Sequence, residues 1–447
     1  MRKLINLLFL VCVVSLRVSA QSNLDNYIRL GLDSNQSIRQ QQFELQKSIY
    51  ALGEAKTLFY PDISFNADYT LAKGGRAIDL PLGDLMNPVY ATLNQLTNSS
   101  NFRPIQNQHV LLNPNNYYDA RFRTTLPLIN AELVYNKRIK QNQVYLQQTQ
   151  TALYKRELVR DIKNAYYQVA SSAKAIEIYR SSLKLVEENR RINTALFNNQ
   201  KINHTAVIRS ENEVTKINAR LLSARESFKS ARAYFNFLVN RPLTDSVVID
   251  AIKDLPVNAL LADTSVLKRE EIESIRIAGK INDNVTGVNK AYIIPKLGSF
   301  IDLGSQATDW KVNSASRYYF FGLSLQWNLF ASGKNNFKIK QSTAEKYSLN
   351  AEKDYIQKQL ETQLNMAKNA YQAASAQYDA AQAELKTAGR YYNDELKLYK
   401  QGQALYIELL DAQHQLIDAQ LEANIALYDA WSKCADIERA NASFNLN

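Results

Sequence analysis

The sequence predicts a membrane α+β protein made of one unit used twice, each unit joining two amphipathic strands to a hairpin of very long helices. Three observations carry this expectation. Leu405, Leu409, Ala412, Leu416, Ala419, Ala423, Ala426 and Ala430 recur at alternating steps of four and three, the seam of a coiled coil. Much of the stretch 399–430 also occurs 202 positions earlier, over 196–212, as an internal duplication would leave it. Finally, period-two runs follow Pro61 and recur after Pro295, weakly at first and clearly over 317–329, at matching places in the two halves.

Composition narrows the class. Thirteen glycines and nine prolines in 447 residues are few, which suits long helices and argues against extensive disorder. The formal charge is +11, but the basic residues are dispersed among acids along the helices, the pattern of a solvated face and not of a nucleic-acid surface. Residues 1–20 read as a secretory signal, with Arg2 and Lys3 before an apolar run over 4–16 and with Val18 and Ala20 before a cut at Gln21. Cys12 leaves with that segment, and Cys434 is then alone, so no internal disulfide is expected. Beyond residue 20 no run of eighteen apolar residues occurs. The exported chain is therefore expected either to be soluble or to cross a membrane as strands.

In chain order, the first repeat is placed at 21–250. A helix is expected over 24–58, its apolar face interrupted near Asp33-Ser34-Asn35 and its end set by Pro61. In a strand over about 61–71, Ile63, Phe65, Ala67, Tyr69 and Leu71 alternate with Ser64, Asn66, Asp68 and Thr70. That alternation fits a soluble hairpin as well as a barrel strand between lipid and water. Residues 72–117 read as a loop, punctuated by Gly74-Gly75, Pro81, Pro88, Pro104 and Pro114, and a loop this long suits the exposed side of an outer-membrane barrel. A second strand is expected over about 118–128, with Arg121 and Arg123 on the face that must meet water. From Asn130 to Phe197 there is neither proline nor glycine, which predicts a helix on the order of 100 Å long. The chain reverses near Asn198-Asn199-Gln200 and returns to complete a helical hairpin over about 130–240. A join over 241–263 holds the β-prone Val247-Val248-Ile249.

The second repeat, 251–447, follows the same order: a helix over 264–292, strands over about 295–305 and 317–329, and a helical hairpin over about 334–442. Alternation is weak in the first of these strands, where Phe300 falls on the polar side with Asp302, and clear in the second, from Tyr319 to Leu329. Four strands are too few to close around water. Three copies would supply twelve, a barrel that leaves no edge in lipid.

Catalytic chemistry finds little footing. His109, His204 and His414 are far apart, and the His414/Asp418 pair lacks a third metal ligand. Gly74-Gly75 lacks the strand–loop–helix setting of a phosphate site. No catalytic residue, metal or cofactor is expected.

The segments Y-P-D-I-S-F at 60–65, L-P-L-I-N-A at 126–131, W-N-L-F-A-S-G at 327–333 and K-Q-G-Q-A-L-Y-I-E-L-L-D-A-Q at 400–413, in order and in duplicate, resemble the TolC family of bacterial outer-membrane efflux proteins. The resemblance covers essentially all of the chain after residue 20. It implies a homotrimer in the outer membrane, sharing a twelve-stranded barrel continuous with a long α-helical coiled-coil barrel through the periplasm. It implies a passive exit duct of a tripartite efflux or type I secretion system. The helical reversals, at Asn199, Gln200 and Lys201 and at Gln401, Gly402 and Gln403, are then the tips that meet a periplasmic adaptor (membrane fusion) protein. That adaptor connects to an inner-membrane pump of RND, ABC or MFS type. The family places acids just past the second reversal that narrow the tip and select cations, and the matching residues are Glu408 and Asp411. Helical spacing puts both on one face, and rings of acids favour cations. They also fit a plain solvated helix start, where acids suit the dipole. At the first reversal Gln200, Ala206 and Arg209 stand where the second has Gly402, Glu408 and Asp411, so only the second supplies this acid pair, and Arg209 is a candidate partner for it. Asp68, Arg121, Arg123 and Asp302 are expected to line the pore, with ordinary surface charge as the alternative. The competing function is a periplasmic coiled-coil scaffold or adaptor without a pore.

Overall fold

The computed structural model describes residues 22–113, 115–252, 255 and 265–446. The expected signal segment and most of the end of the join lie outside the described residues. The elements are α1 (Asn23–Ser34), α2 (Gln36–Thr57), β1 (Asp62–Thr70), β2 (Ala77–Leu80), α3 (Leu82–Leu96), β3 (Gln108–Leu111), β4 (Tyr117–Ile129), α4 (Ala131–Asn198), α5 (His204–Leu238), α6 (Glu270–Lys290), β5 (Lys296–Thr308), β6 (Arg317–Gln326), α7 (Lys334–Lys400) and α8 (Tyr406–Ala440). They form two compact units, a helical one from the described residues within Met1–Ile49, Gln141–Asn282 and Ala344–Asn447 and a sheet-bearing one from those within Tyr50–Lys140 and Asp283–Thr343.

In the helical unit the expected single helix over 24–58 is two helices, and Asn35 is the reason. Its backbone is extended, and its Oδ1 accepts from Ser37 N at 2.9 Å to cap α2. Its Nδ2 donates to Leu238 O at 2.8 Å, tying the break to the end of α5. Around it Ile28, Ile38, Ile162, Tyr166, Val169, Phe235 and Val239 make a closed core. The strip 246–252 forms no strand. It crosses this core with Val248 N donating to Tyr27 Oη at 3.0 Å and Asp250 N to Tyr166 Oη at 2.6 Å.

A second anchor in this unit is ionic. Arg269 and Arg439 are both nearly fully buried and both bind Glu271, Arg439 Nη2 at 2.8 Å from Oε1. Arg156 pairs with Glu270 through Nε at 2.8 Å. These contacts clamp the starts of α6 and the ends of α8 onto α4.

The sheet-bearing unit holds a four-stranded antiparallel sheet in the order β1-β4-β5-β6. Register sorts its faces. Ile63, Phe65 and Tyr69 share one face with Phe122, Ile301, Leu303, Tyr319, Phe321, Leu323 and Leu325, all of them exposed. Ser64, Asn66, Asp68, Arg121, Arg123, Asp302 and Ser324 share the other. Phe300 does fall on that second face, and it fits because its partner is Gly322. A Cβ there would stand 2.5 Å from the Phe300 ring. β4 loses register between Pro127 and Ile129, where proline has no N–H to give the ladder. β6 stops at Gln326, paired with Lys296, so the expected strand over 317–329 is shorter: Pro295 has no N–H to carry the pairing further.

Residues 72–117, read as a loop, contain the β2–β3 hairpin and α3. Proline and glycine punctuation hid them.

Burial alone pushes the Glu271 carboxyl up, but the hydrogen bonds and charges of Arg269 and Arg439 outweigh it and hold it down at about 2. A folded-state value below the unfolded one gives stability that is present above the unfolded pKa and lost as pH falls through the folded one. Glu271→Gln is therefore expected to lower unfolding stability at pH 7 by about 3 kcal/mol, the cost of breaking a buried pair. That deficit is expected to shrink as pH falls from about 4.5 toward 2, as read by urea unfolding at several pH values. A pH-independent deficit would contradict the assignment.

Candidate functional site

The two helical reversals are built alike. At the first, Gln200 has φ +57°, Lys201 N donates to Leu196 O at 2.9 Å and Gln200 N to Phe197 O at 2.8 Å. At the second, Gly402 has φ +75°, Gln403 N donates to Leu398 O at 2.9 Å and Gly402 N to Tyr399 O at 3.0 Å. Each pair of bonds closes a helix on a left-handed residue and satisfies its last carbonyls. Glycine adopts that conformation freely, and glutamine adopts it at a cost. Asn199, Lys201, Gln401 and Gln403 are exposed beside these turns.

Four helices meet just behind the reversals. Ile192 of α4, Ala206 of α5, Tyr392 and Tyr399 of α7, and Tyr406, Leu409 and Ala412 of α8 form one buried core. Polar groups are sunk in it. Tyr399 Oη donates to Asn193 Oδ1, Asn193 Nδ2 donates to Ala206 O at 3.2 Å, and Asn189 Nδ2 donates to Gln413 Oε1 at 2.6 Å. The seam read from sequence runs inward along α8, where Leu409, Ala412, Ala419, Ala423, Ala426 and Ala430 are buried. Leu416 is half-buried, and Leu405 is 67 % exposed because it stands at the start of the helix.

Glu408 and Asp411 both stay at the surface. Glu408 Oε2 reaches back to accept from Leu405 N at 2.7 Å, so it also caps α8. Asp411 Oδ2 accepts from Gln415 Nε2 at 2.7 Å. Together with Tyr391, Ile407, Leu410 and His414 they line a hollow of about 470 Å³. Among the described residues neither acid pairs with Arg209, which is exposed.

A third acid near the tip was missed in the sequence. Glu213 of α5 is 4 % exposed. Its Oε2 lies 2.9 Å from His414 Nε2, and its Oε1 accepts from Lys216 Nζ at 2.8 Å. Burial raises the Glu213 carboxyl, and the bonds from Lys216 and His414 outweigh it and bring it below the usual range. The available signal was its place seven residues after Ala206, a core position on α5. His414 thus faces Glu213 across two helices and is not set up as a ligand with Asp418. Among the described residues no group of three or more His, Cys, Asp or Glu is arranged to hold a metal ion.

On the sheet, Arg123 and Asp302 come directly together. Nε donates to Oδ1 at 2.8 Å and Nη2 to Oδ2 at 2.6 Å, and Asp302 is 3 % exposed. Arg121 pairs with Asp119, which also accepts from Tyr318 Oη at 2.6 Å. Asp68 is on the same face and exposed.

Comparison with known proteins follows the same lines. Residues 282–440 match the family described as "Outer membrane efflux protein". No curated protein matches. Among solved structures, the outer membrane protein VceC of Vibrio cholerae has a TM-score of 0.74 at 14% identity, covering 94% of this chain and 95% of that one. The Campylobacter jejuni CmeC outer membrane channel has 0.74 at 14%, with 95% and 86% covered. The Neisseria gonorrhoeae MtrE outer membrane channel in its open state has 0.73 at 15%, with 94% and 88% covered.

Exchange at the reversals is the direct check of their build. Gly402→Ala is expected to lower the local opening free energy of the flanking amides by about 1 kcal/mol, and Gln200→Gly to raise it at the first reversal by up to about 1 kcal/mol. Hydrogen exchange reads both, and equal effects from Gln401→Ala would contradict the left-handed assignment.

The resemblance seen in the sequence is borne out: residues 282–440 match the outer membrane efflux protein family, and along nearly its whole length the chain carries the fold of outer-membrane channels.

Proposed function

We propose that this chain is the outer-membrane exit duct of a tripartite efflux or type I secretion system, passively conducting what a pump and its adaptor deliver. The observation that carries this reading is the sheet. One of its faces is apolar and uncovered, the other is polar and charged, and β1 and β6 are open edges. Lipid suits the first face and water the second, and neither tolerates open edges for long. Three copies of four strands close these edges into a twelve-stranded barrel in the outer membrane. Asp68, Arg121, Arg123 and Asp302 then line its lumen. A pore-free scaffold leaves the apolar face without a partner.

The element order helix–strand–strand–long helix–returning helix, passed twice, and the matching reversals support an internal duplication. Large apolar residues exposed along α7, among them Tyr347, Tyr355 and Met366, support packing against further helices of neighbouring copies in a periplasmic coiled-coil barrel. The turns at Asn199, Gln200, Lys201, Gln401, Gly402 and Gln403 are the surfaces offered to an adaptor. Around a threefold axis Glu408 and Asp411 become a ring of carboxylates that attracts cations and repels anions.

In a planar bilayer the purified protein is expected to conduct, with cation preference and block by multivalent cations. Glu408→Ala with Asp411→Ala is expected to weaken preference and block while leaving a conducting pore. A conducting double variant with unchanged selectivity sinks the aperture role, and a protein that never conducts sinks the duct.

A further inference from the structure

The insert between β1 and β4 folds in an unusual sense. Helix α3 turns its polar face toward its own return segment. Asp84 N donates to Asn107 Oδ1 at 3.1 Å and Asn107 Nδ2 donates back to Asp84 Oδ2 at 2.9 Å. Asn87 makes the same two-way exchange with the backbone of Ile105, both bonds at 2.9 Å, and Asn94 with that of Phe102, at 2.8 and 3.0 Å. Gly83 is buried on this side, where a Cβ would stand 2.6 Å from Ile105 O. The opposite face is apolar and outward. It presents Leu82, Leu85, Met86, Val89 and Leu96 at helical spacing, with Leu85 65 % and Leu96 78 % exposed.

The chemistry of this stripe selects its occupant. A helix that lies on a lipid surface carries lysine and arginine on its polar face. α3 has neither residue, and its Asp84, Asn87 and Asn94 are already bonded to 102–107. The stripe is narrow, with steps of three and four, which is the form of a helix–helix seam. It bears no charge, so like copies can meet without repulsion. The insert also grows directly out of β1, an open edge of the sheet. In the assembly proposed above, on which this inference rests, that edge takes a neighbour's strand.

We propose that α3 is a contact helix between copies of this chain, its apolar stripe packed against the equivalent stripes of neighbouring subunits at the loop end of the barrel. The contact closes around the axis and adds a layer of association beyond the sheet. Only the first strand pair carries it, since the β5–β6 link is short and lacks a helix of eight or more residues.

The test uses the full chain with Cys434→Ala. Val89→Cys places a thiol on the stripe, and Gln95→Cys places one off it. Under mild oxidation in native outer membranes, Val89→Cys is expected to link chains in pairs and Gln95→Cys to stay unlinked. As a second reading that needs no oxidation, Leu85→Ser with Val89→Ser is expected to lower the temperature at which the purified particle dissociates. Light scattering on uncrosslinked particles counts the subunits separately. If three subunits are present while Val89→Cys stays unlinked and reacts with a water-soluble maleimide as fast as Gln95→Cys, the contact helix is overturned and the duct stands. Labelling of Val89→Cys only by a lipid-borne probe overturns it in favour of the membrane. A particle that is not trimeric overturns both readings.

Discussion

Backbone groups along the open edges of β1 and β6 set the terms for the rest of this chain. A buried amide or carbonyl without a partner costs on the order of 1–3 kcal/mol, and more in lipid, where water cannot help. The sheet pairs β4 with β5 along nearly their whole length, over twelve register pairs, and leaves the outer edges of β1 and β6 to be matched. Its uncovered face is apolar enough to seek lipid. The edge-to-edge association of copies proposed above would answer both demands together, and the apolar tracts exposed along α7 pose a similar demand in water.

At the helical reversals a different compromise is visible. Asn189, Asn193, Glu213 and Gln413 are buried among packed helices, where an apolar seam would give more stability. Each is tied to a helix of the other hairpin or to the next helix of its own: Asn189 to Gln413, Asn193 to Tyr399 and Ala206, Glu213 to His414. Buried polar groups of this kind fix register, since only one alignment satisfies them. The surface acids Glu408 and Asp411, proposed above to select cations, are separate from this set, so that proposal assigns selectivity and packing to different residues.

What the sequence revealed and what it hid follow from distance along the chain. The bounds of α4 and α7 were legible because sixty-odd residues with no proline, and with no glycine in α4 and only Gly389 in α7, leave the backbone few alternatives. Gly402 was legible because a helix end favours glycine. The Arg123–Asp302 pair was not, since it depends on the register of β4 on β5, and the partners are 179 residues apart. α3 was hidden by Pro81 and Pro88, which read as breakers although the one precedes the helix and the other sits inside its exposed face. Asn35 showed only as a polar interruption, because its role depends on the carbonyl of Leu238. Glu213 was overlooked because an acid on a helix usually marks a solvated face.

All of this hangs on the number of chains that share the sheet. Native mass spectrometry of the detergent-solubilised protein, released from outer membranes without crosslinking, counts them most directly. The account predicts a single species of three chains. A monomer, or any assembly whose strand total cannot close its edges, would contradict it.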